Sequence, residues 1–518
     1  MSKSNLVKTG VTGLDQIFLG GVLQGNVILV EGAPGAGKSL LGMTFIYRGI
    51  TEYNEPGIIV VFETSPYKLI RDAAVFGWDF DELQKQNKLK IIFTSPQVLD
   101  EELRAPDSLL LETASKMGAQ RIFIDGISLL RTLEHSNGTN GNGSTSYREL
   151  LQQLFEGLQR ENLTAMLSHE VMVREEQAAI LETAEFLADT VVVLRRESLG
   201  PSIRRTLEIT KSRGQDYDSG KHTLRISGSG TEVFRRVQAP PRGREAQSTS
   251  STKRSVIGVE ALDTLLGGGV FDGSTTMVVG ISGAGKTVLG VQLLLEGALK
   301  HGKRGLLVSL DEHPAQIIRN AETLSLNLQA QVDVGTIKVY FESPQELDLD
   351  THFHMIVQTI EQNKIERLLI DGMSSYSTAI QDQRLYRDFC HALIAYSKQH
   401  LITTFFNYEN PELFGLTHFM PEFAVSSIVD NIILMNFVEL GNRVHRAITV
   451  AKARGSDHEF VTRELKIGQG GISLLPLDET EALPVLPFQS YYGLLSRAPT
   501  RYSPRIPHEP LVVVKEPT

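Results

Sequence analysis

The 518-residue chain is 41% hydrophobic and carries a formal net charge of −10, which suits ordinary buried cores and argues against a protein whose main task is coating nucleic acid. Its single cysteine, Cys390, excludes an intrachain disulfide framework and suits a reducing cytosol. Without an N-terminal signal pattern or an apolar run of roughly 18 residues, the sequence predicts a soluble cytoplasmic protein with no membrane span.

In chain order, the first strong element is the apolar, β-rich run "NVILVEG", which leads into "GAPGAGKS" at Gly32–Ser39 and then "LLGMTFIYRGI" at helical spacing. This is the G-x-x-x-x-G-K-[ST] pattern of a phosphate-binding loop. Gly32, Gly35, Ala36 and Gly37 let successive backbone N–H groups turn inward around phosphates, and Leu40, next after the loop, is counted with the ATP-binding residues. Lys38 reaches toward the β- and γ-phosphates of a nucleotide, and the Ser39 hydroxyl suits Mg²⁺. Glu63 follows the strand-like "IIVVF", where a carboxylate can orient an attacking water or hydroxyl. Asp125 ends the apolar "RIFID" and suits the shell around Mg²⁺, although a strand-ending acid can also just cap a turn. The run His135–Ser146, "HSNGTNGNGSTS", reads as a polar loop. After "EFLADTVVVL", the string "LEITKSRG" offers Lys211 and Arg213, spaced by two on one face of a strand.

The pattern then repeats. "GVTGLDQIFLGGVLQG" from Gly10 and "GVEALDTLLGGGVFDG" from Gly258 align without a gap, and the same offset sets Lys38 over Lys286. "TTMVVG" leads into "GISGAGKT", with Gly280, Gly283, Ala284, Gly285, Lys286, Thr287 and Val288 in the places of the first loop. "VSLDEHP" repeats "VVFETSP", which puts Asp311 and Glu312 where the first copy has Glu63 and Thr64; Asp371 in "RLLIDG" repeats Asp125. "AITVAKARG" repeats "LEITKSRG", giving Lys452 and Arg454. "VSSIVDNIILM" aligns with "EFLADTVVVL" through Asp430 and Asp189, so Ser426 and Ser427 stand against Glu185 and Phe186. A duplicated unit of roughly 230–240 residues accounts for these matches. Strands alternating with helices predict two α/β phosphate-loop domains, each a mainly parallel sheet with flanking helices. The expected boundaries are 1–238 for the first, 239–255 for a Pro/Ser-rich linker, 256–476 for the second and 477–518 for an extended C-terminal regulatory tail. Cys390, in "YRDFCHALIAYSKQ", reads as a buried apolar residue of a helix.

These strings resemble the KaiC family of double-domain RecA-like ATPases and autokinases over nearly the whole chain. The residues that carry the resemblance are both phosphate loops, "FETSP", "LDEHPAQIIRNA", the two "IDG" strings, "KSRG", "KARGS" and "VSSIVDNIIL". The resemblance implies a homohexamer of two stacked rings with Mg²⁺ and ATP between neighbouring subunits. It implies a slow first-ring ATPase that binds a small KaiB partner, and a second ring that phosphorylates and dephosphorylates adjacent hydroxyls in a timing or stress-signalling role. Carried over, Glu63 matches the first-ring catalytic glutamate, and Asp311 and Glu312 match the second-ring pair, one side chain shortened by a methylene. Ser39, Thr287 and Asp311 fall at the metal, and Asp125 and Asp371 at the ATP. Arg205, Lys211, Ser212 and Arg213, with Arg446, Lys452, Ala453 and Arg454, match the groups that the neighbouring subunit presents to ATP. Ser426 and Ser427 match the phosphorylated pair; Pro421 and Thr378 stand where the family usually has a hydroxyl acceptor and an arginine. The divergent tail argues against control by the activator KaiA.

Two other readings stay open: a RecA-type DNA-dependent ATPase, and a signalling scaffold that hydrolyses ATP only to switch partners. The acidic balance and the lack of a basic, aromatic-laced loop argue against stable nucleic-acid binding.

Overall fold

The computed structural model describes residues 6–104, 108–131, 146–171, 183–199, 202–238, 251–380, 382–410, 427–440 and 443–476. The chain divides into two compact units. The first runs from Met1 to Val237 and includes Asp348–His354; the second holds Gln238–Leu347 and Met355–Thr518.

Each unit is built on one nine-stranded sheet. In the first, the strands lie in the order Leu89–Phe93, Gly57–Val61, Arg121–Asp125, Thr164–Glu170, Val27–Gly32, Thr190–Leu199, Ser202–Ser212, Lys221–Ser227 and Gly230–Phe234. The first six of these run parallel and the last three add on antiparallel. The second sheet repeats the order with Ile337–Phe341, Gly305–Ser309, Arg367–Asp371, Thr403–Glu409, Thr275–Gly280, Asn431–Leu440, Arg443–Ala453, Thr462–Gly468 and Gly471–Pro476. Parallel strands need both faces covered, and their sequences show it: every residue of Val27–Gly32 is buried. Ile28 and Val30 pack with Leu41, Phe45 and Trp78 on one face, while Val27 and Leu29 pack with Leu150 and Leu154 on the other. In the second unit, Val278 and Leu307 pack with Leu289 and Leu293.

The tandem α/β architecture is as the sequence predicts. The antiparallel extension is not legible there, because its strands are short of the long apolar runs that mark a doubly covered sheet. Each sheet also carries a β-bulge at one corresponding place, between Val191 and Val192 and between Ile432 and Ile433. A bulge re-aims the side chains that follow it, here at Lys211 and Lys452 on the facing strands.

Both units bury an arginine at the start of the strand that ends in the repeated aspartate, Asp125 or Asp371. Arg121 donates to the carbonyls of Phe45 (3.0 Å) and Lys8 (2.7 Å) and to Glu55 Oε2 (2.6 Å). Arg367 donates to the carbonyls of Val256 (3.0 Å) and Leu293 (2.5 Å). Each guanidinium lies against a bare helix backbone, since a Cβ on Gly49 or Gly297 would come within 2.4 or 2.6 Å of the arginine Cδ. Burial lowers the pKa of both guanidinium groups, and in the first unit Glu55 opposes that shift most strongly. Cys390 is fully buried on the helix Gln383–Gln399, and burial pushes its thiol up to about 12.

Candidate nucleotide sites

In each unit the central strand runs directly into the Gly-rich loop and the loop into a 16-residue helix, Lys38–Tyr53 or Lys286–His301. The residue before each helix is a glycine in the left-handed region, Gly37 at φ 111° and Gly285 at φ 107°, and no side chain caps either helix. The first-turn N–H groups therefore face the loop with the positive end of the helix dipole, a ready anion site.

Lys38 Nζ donates to the carbonyls of Gly32 (2.7 Å) and Ala33 (3.0 Å), and Lys286 Nζ to those of Gly280 (2.9 Å) and Ile281 (2.8 Å). Burial lowers the pKa of both ammonium groups. Glu170 and Asp125 oppose the shift in the first unit, and Glu409, Asp371 and Asp311 in the second. An ammonium that is desolvated and near carboxylates is poised to gain from an incoming phosphate.

The strand-ending aspartates are held by hydrogen-bond donors on the next strand. Ser168 Oγ donates to Asp125 (2.5 Å), and Asn407 Nδ2 donates to Asp371 (2.8 Å). Burial raises the pKa of Asp371, while hydrogen bonds from Asn407 and the Thr287 side chain lower it. The Thr287 hydroxyl thus lies beside Asp371, as a site for a hydrated divalent cation requires. Among the described residues, no group of three or more His, Cys, Asp or Glu is arranged to hold a metal by itself. That donor set fits Mg²⁺, which takes one or two protein oxygens and fills its shell from water and phosphate.

Glu63 is exposed just beyond Gly57–Val61. In the second unit, Asp311, Glu312, Lys286 and Asp371 line one cavity of about 860 Å³. The Ser375 hydroxyl donates to Asp311 Oδ1. Burial raises the pKa of Glu312, with Asp371 and Asp311 adding to it. Thr378 lines the same cavity and bonds the Ser374 carbonyl at 3.1 Å.

The cations of the antiparallel strands are drawn to one segment in each unit. Lys211 donates to the carbonyls of Glu185 (2.8 Å) and Phe186 (3.0 Å), and Arg213 to that of Phe186 (3.0 Å). Lys452 donates to the Val429 carbonyl (2.8 Å) and Arg454 to the Ser427 carbonyl (2.6 Å). Ser427 is exposed; Ser426, Pro421 and the tail from 477 lie outside the described residues. Arg446 differs, because its Nε donates to the Gly283 carbonyl of its own chain's phosphate loop at 3.1 Å. Arg205 stands opposite Arg196, Ser212 opposite Thr190, and Ala453 opposite Asn431.

Sequence reasoning missed Glu170 and Glu409. They end "TAMLSHE" and "TTFFNYE", directly beside Gly32 and Gly280 in the sheet. Their shared place in the repeat was the available signal. It also missed Ser168, Asn407 and Ser375, whose partners are distant in sequence.

The family profile described as the KaiC ATPase matches residues 7–238 and 256–479. The chain belongs to the KaiC family. Among its KaiC relatives, the circadian clock oscillator protein of Picosynechococcus sp. is 31% identical over 501 residues, 96% of this chain and 92% of that protein. The KaiC of Parathermosynechococcus lividus is 32% identical over 500 residues, 95% and 88% of the two chains. KaiC 1 of Synechocystis sp. is 31% identical over 503 residues, 96% and 92%. Among the described residues, no helix is long and apolar enough to cross a membrane.

Proposed function

We propose that this KaiC-family chain binds Mg·ATP in both units, hydrolyses it in the first and transfers phosphate to its own Ser426 and Ser427 in the second. The observation that carries the reading is the second-unit cavity, where Lys286, Asp371, Asp311 and Glu312 surround about 860 Å³ next to a helix N-terminus. The loop N–H groups and Lys286 grip the β- and γ-phosphates, and Ser39 and Thr287 would hold Mg²⁺, which would supply charge neutralisation. Burial and neighbouring carboxylates lift Glu312 toward the range in which a carboxyl group serves best as a base. It takes the proton as the serine Oγ bonds to the γ-phosphorus and ADP leaves. Asp311 flanks it.

In the first unit, Glu63 orients water, because Glu185 and Phe186 leave no hydroxyl where the second unit has its serines. Lys211, Arg213, Lys452 and Arg454, with Arg205 and Arg446, serve ATP held by a neighbouring subunit. That arrangement calls for a homohexamer of stacked rings. A cytoplasmic timing role, a KaiB-like partner and release of the phosphate by the same cleft complete the proposal; the tail's divergence leaves KaiA out of it.

The test is phosphopeptide mapping after incubation with Mg·ATP. Phosphate should appear on the segment that carries Ser426 and Ser427. The double change Ser426→Ala, Ser427→Ala should clear that segment while first-unit hydrolysis continues. Intact serines that stay unmodified while ATP is consumed would reduce the protein to a plain ATPase.

A further inference from the structure

Asp311 is tied to a hydroxyl and a bare stretch of backbone of its own chain. Its Oδ1 accepts from the Ser375 hydroxyl, and its Oδ2 lies where a Cβ on Gly372 would come within 2.6 Å. Gly372 has φ +98°, so the bare backbone there is built in, and the carboxylate is lodged between it and Ser375. The Ser375 amide in turn donates to the Gly372 carbonyl at 2.9 Å, which fixes the serine on the first turn of the helix Met373–Ala379. Ser375, Asp311 and Lys286 all line the one cavity that also holds the phosphate loop.

The first unit lacks this arrangement. Leu129 takes the corresponding place, and a Cβ on Gly126 would meet Leu129 (3.5 Å) and Phe62 (3.9 Å) instead of an acid. A carboxylate in this place can orient a water for attack on a bound γ-phosphate. In the second unit the chain's own hydroxyl fills the seat beside that carboxylate. A nucleophile and its base within hydrogen-bond reach, in a phosphate-gripping cleft, make an acceptor site.

We propose that Ser375 is itself a phosphorylation site, modified in cis by the ATP of its own second-unit cleft. The Ser375 Oγ–phosphorus bond forms as the bond from the γ-phosphorus to the bridging oxygen breaks. ADP leaves with that oxygen, and the serine proton passes to the Asp311 carboxylate. Glu312 remains for the serines at 426 and 427. The inference rests on ATP binding in the second unit, as proposed above, but not on the modification of Ser426 or Ser427. The product sets a phosphate beside Asp311, Glu312 and Asp371, so like-charge repulsion hinders the next ATP.

The experiment is a rapid acid-quench time course with Mg·ATP on the full-length Ser426→Ala, Ser427→Ala protein. The tryptic peptide Leu368–Arg384 is then sequenced by mass spectrometry. Phosphate is expected on Ser375, at a rate independent of protein concentration. It should be lost in Ser375→Ala and in Lys286→Ala, and retained on the replacement hydroxyl in Ser375→Thr. A Lys286→Ala chain mixed with active Ser375→Ala chains should stay unlabelled at this peptide; label there overturns transfer in cis. No phosphate on Ser375 at any time overturns the proposal. Parallel label on Ser426 or Ser427 of the wild-type protein then shows that the kinase reading survives without it.

Discussion

Lys286→Met separates what the phosphate-loop lysine costs the empty protein from what it contributes to nucleotide binding. The ammonium has three protons, and two of them go to the Gly280 and Ile281 carbonyls at 2.9 and 2.8 Å. One donor remains for a phosphate oxygen. A hydrogen bond to a charged group contributes about 1.5–3 kcal/mol, so affinity at the second site should fall roughly tenfold to a hundredfold or somewhat more. Burial depresses the Lys286 pKa below its unfolded value of 10.5, so charging the folded form is the costlier state. At neutral pH the lysine is charged both folded and unfolded, and the full penalty is present. In the window just below 10.5 the unfolded chain holds the proton more tightly, and stability rises with pH. The methionine variant removes the penalty. It also removes both carbonyl bonds, so without nucleotide the expected outcome is the trend: relative to the variant, the wild type should gain stability as pH climbs through that window. Differential scanning fluorimetry with and without Mg·ATP, in a Lys38→Ala background that silences the first site, reads both effects. A difference between wild type and variant that does not move in the wild type's favour through that window, or an unchanged ATP-induced shift, would refute the reasoning.

Two further outcomes follow from the packing. Glu55→Ala strands the buried Arg121 guanidinium and should destabilise the first unit by about 3 kcal/mol, the low end for a broken buried pair because Glu55 keeps partial contact with water; denaturant titration of the first-unit transition measures it, and a loss under 1 kcal/mol (roughly, the surface-pair range) argues that the carbonyls alone hold the arginine. Gly280→Ala drives a Cβ to within 2.2 Å of the Met435 carbonyl oxygen, which is backbone and cannot swing away, so nucleotide titration should show the second site lost while the first persists; wild-type binding at both sites would mean the strand shifts freely.

The parts of the fold written in local pattern were legible in the sequence. "NVILVEG" and "TTMVVG" announce buried parallel strands by their unbroken apolar runs, and the loops that follow are fixed by residue type. The repeat made each lobe evidence for the other. What stayed hidden depends on residues that meet only after folding. Ser375 and Asp311 are 64 positions apart, and nothing local marks a serine on "GMSSYSTA" as the partner of an acid after another strand. The bulges before Lys211 and Lys452 were hidden for the same reason, because pairing register is set across strands. Nothing local marks Arg121 and Arg367 as buried either, yet both are; the facing glycines, Gly49 and Gly297, lie where a Cβ would meet their side chains.

The two lobes differ where a duplicated phosphate machine can afford to differ. Positions that set the loop repeat faithfully: the helix glycines, the strand-ending aspartates, the buried arginines, and Glu170 and Glu409 beside the loop glycines. These positions form the phosphate loop, adjoin it or pack the strands and helices that carry it. Divergence falls on residues that can touch only what receives the phosphate, or that brace the strand ends. Leu129 stands against Ser375, Phe186 against Ser427, and the buried His169–Glu31 pair, 3.1 Å apart, against Tyr408 and Val279. The first lobe thus keeps apolar side chains where the second sets hydroxyls, one of them already bonded to an acid. Hydrolysis needs only room for water near Glu63. Transfer to protein needs a hydroxyl brought to the same distance and a base for its proton, and at this place the second lobe alone carries two adjacent acids, Asp311 and Glu312. The doubled carboxylate and the serine-rich helix make one argument: with Asp311 tied to Ser375, a second acid is required for any other acceptor.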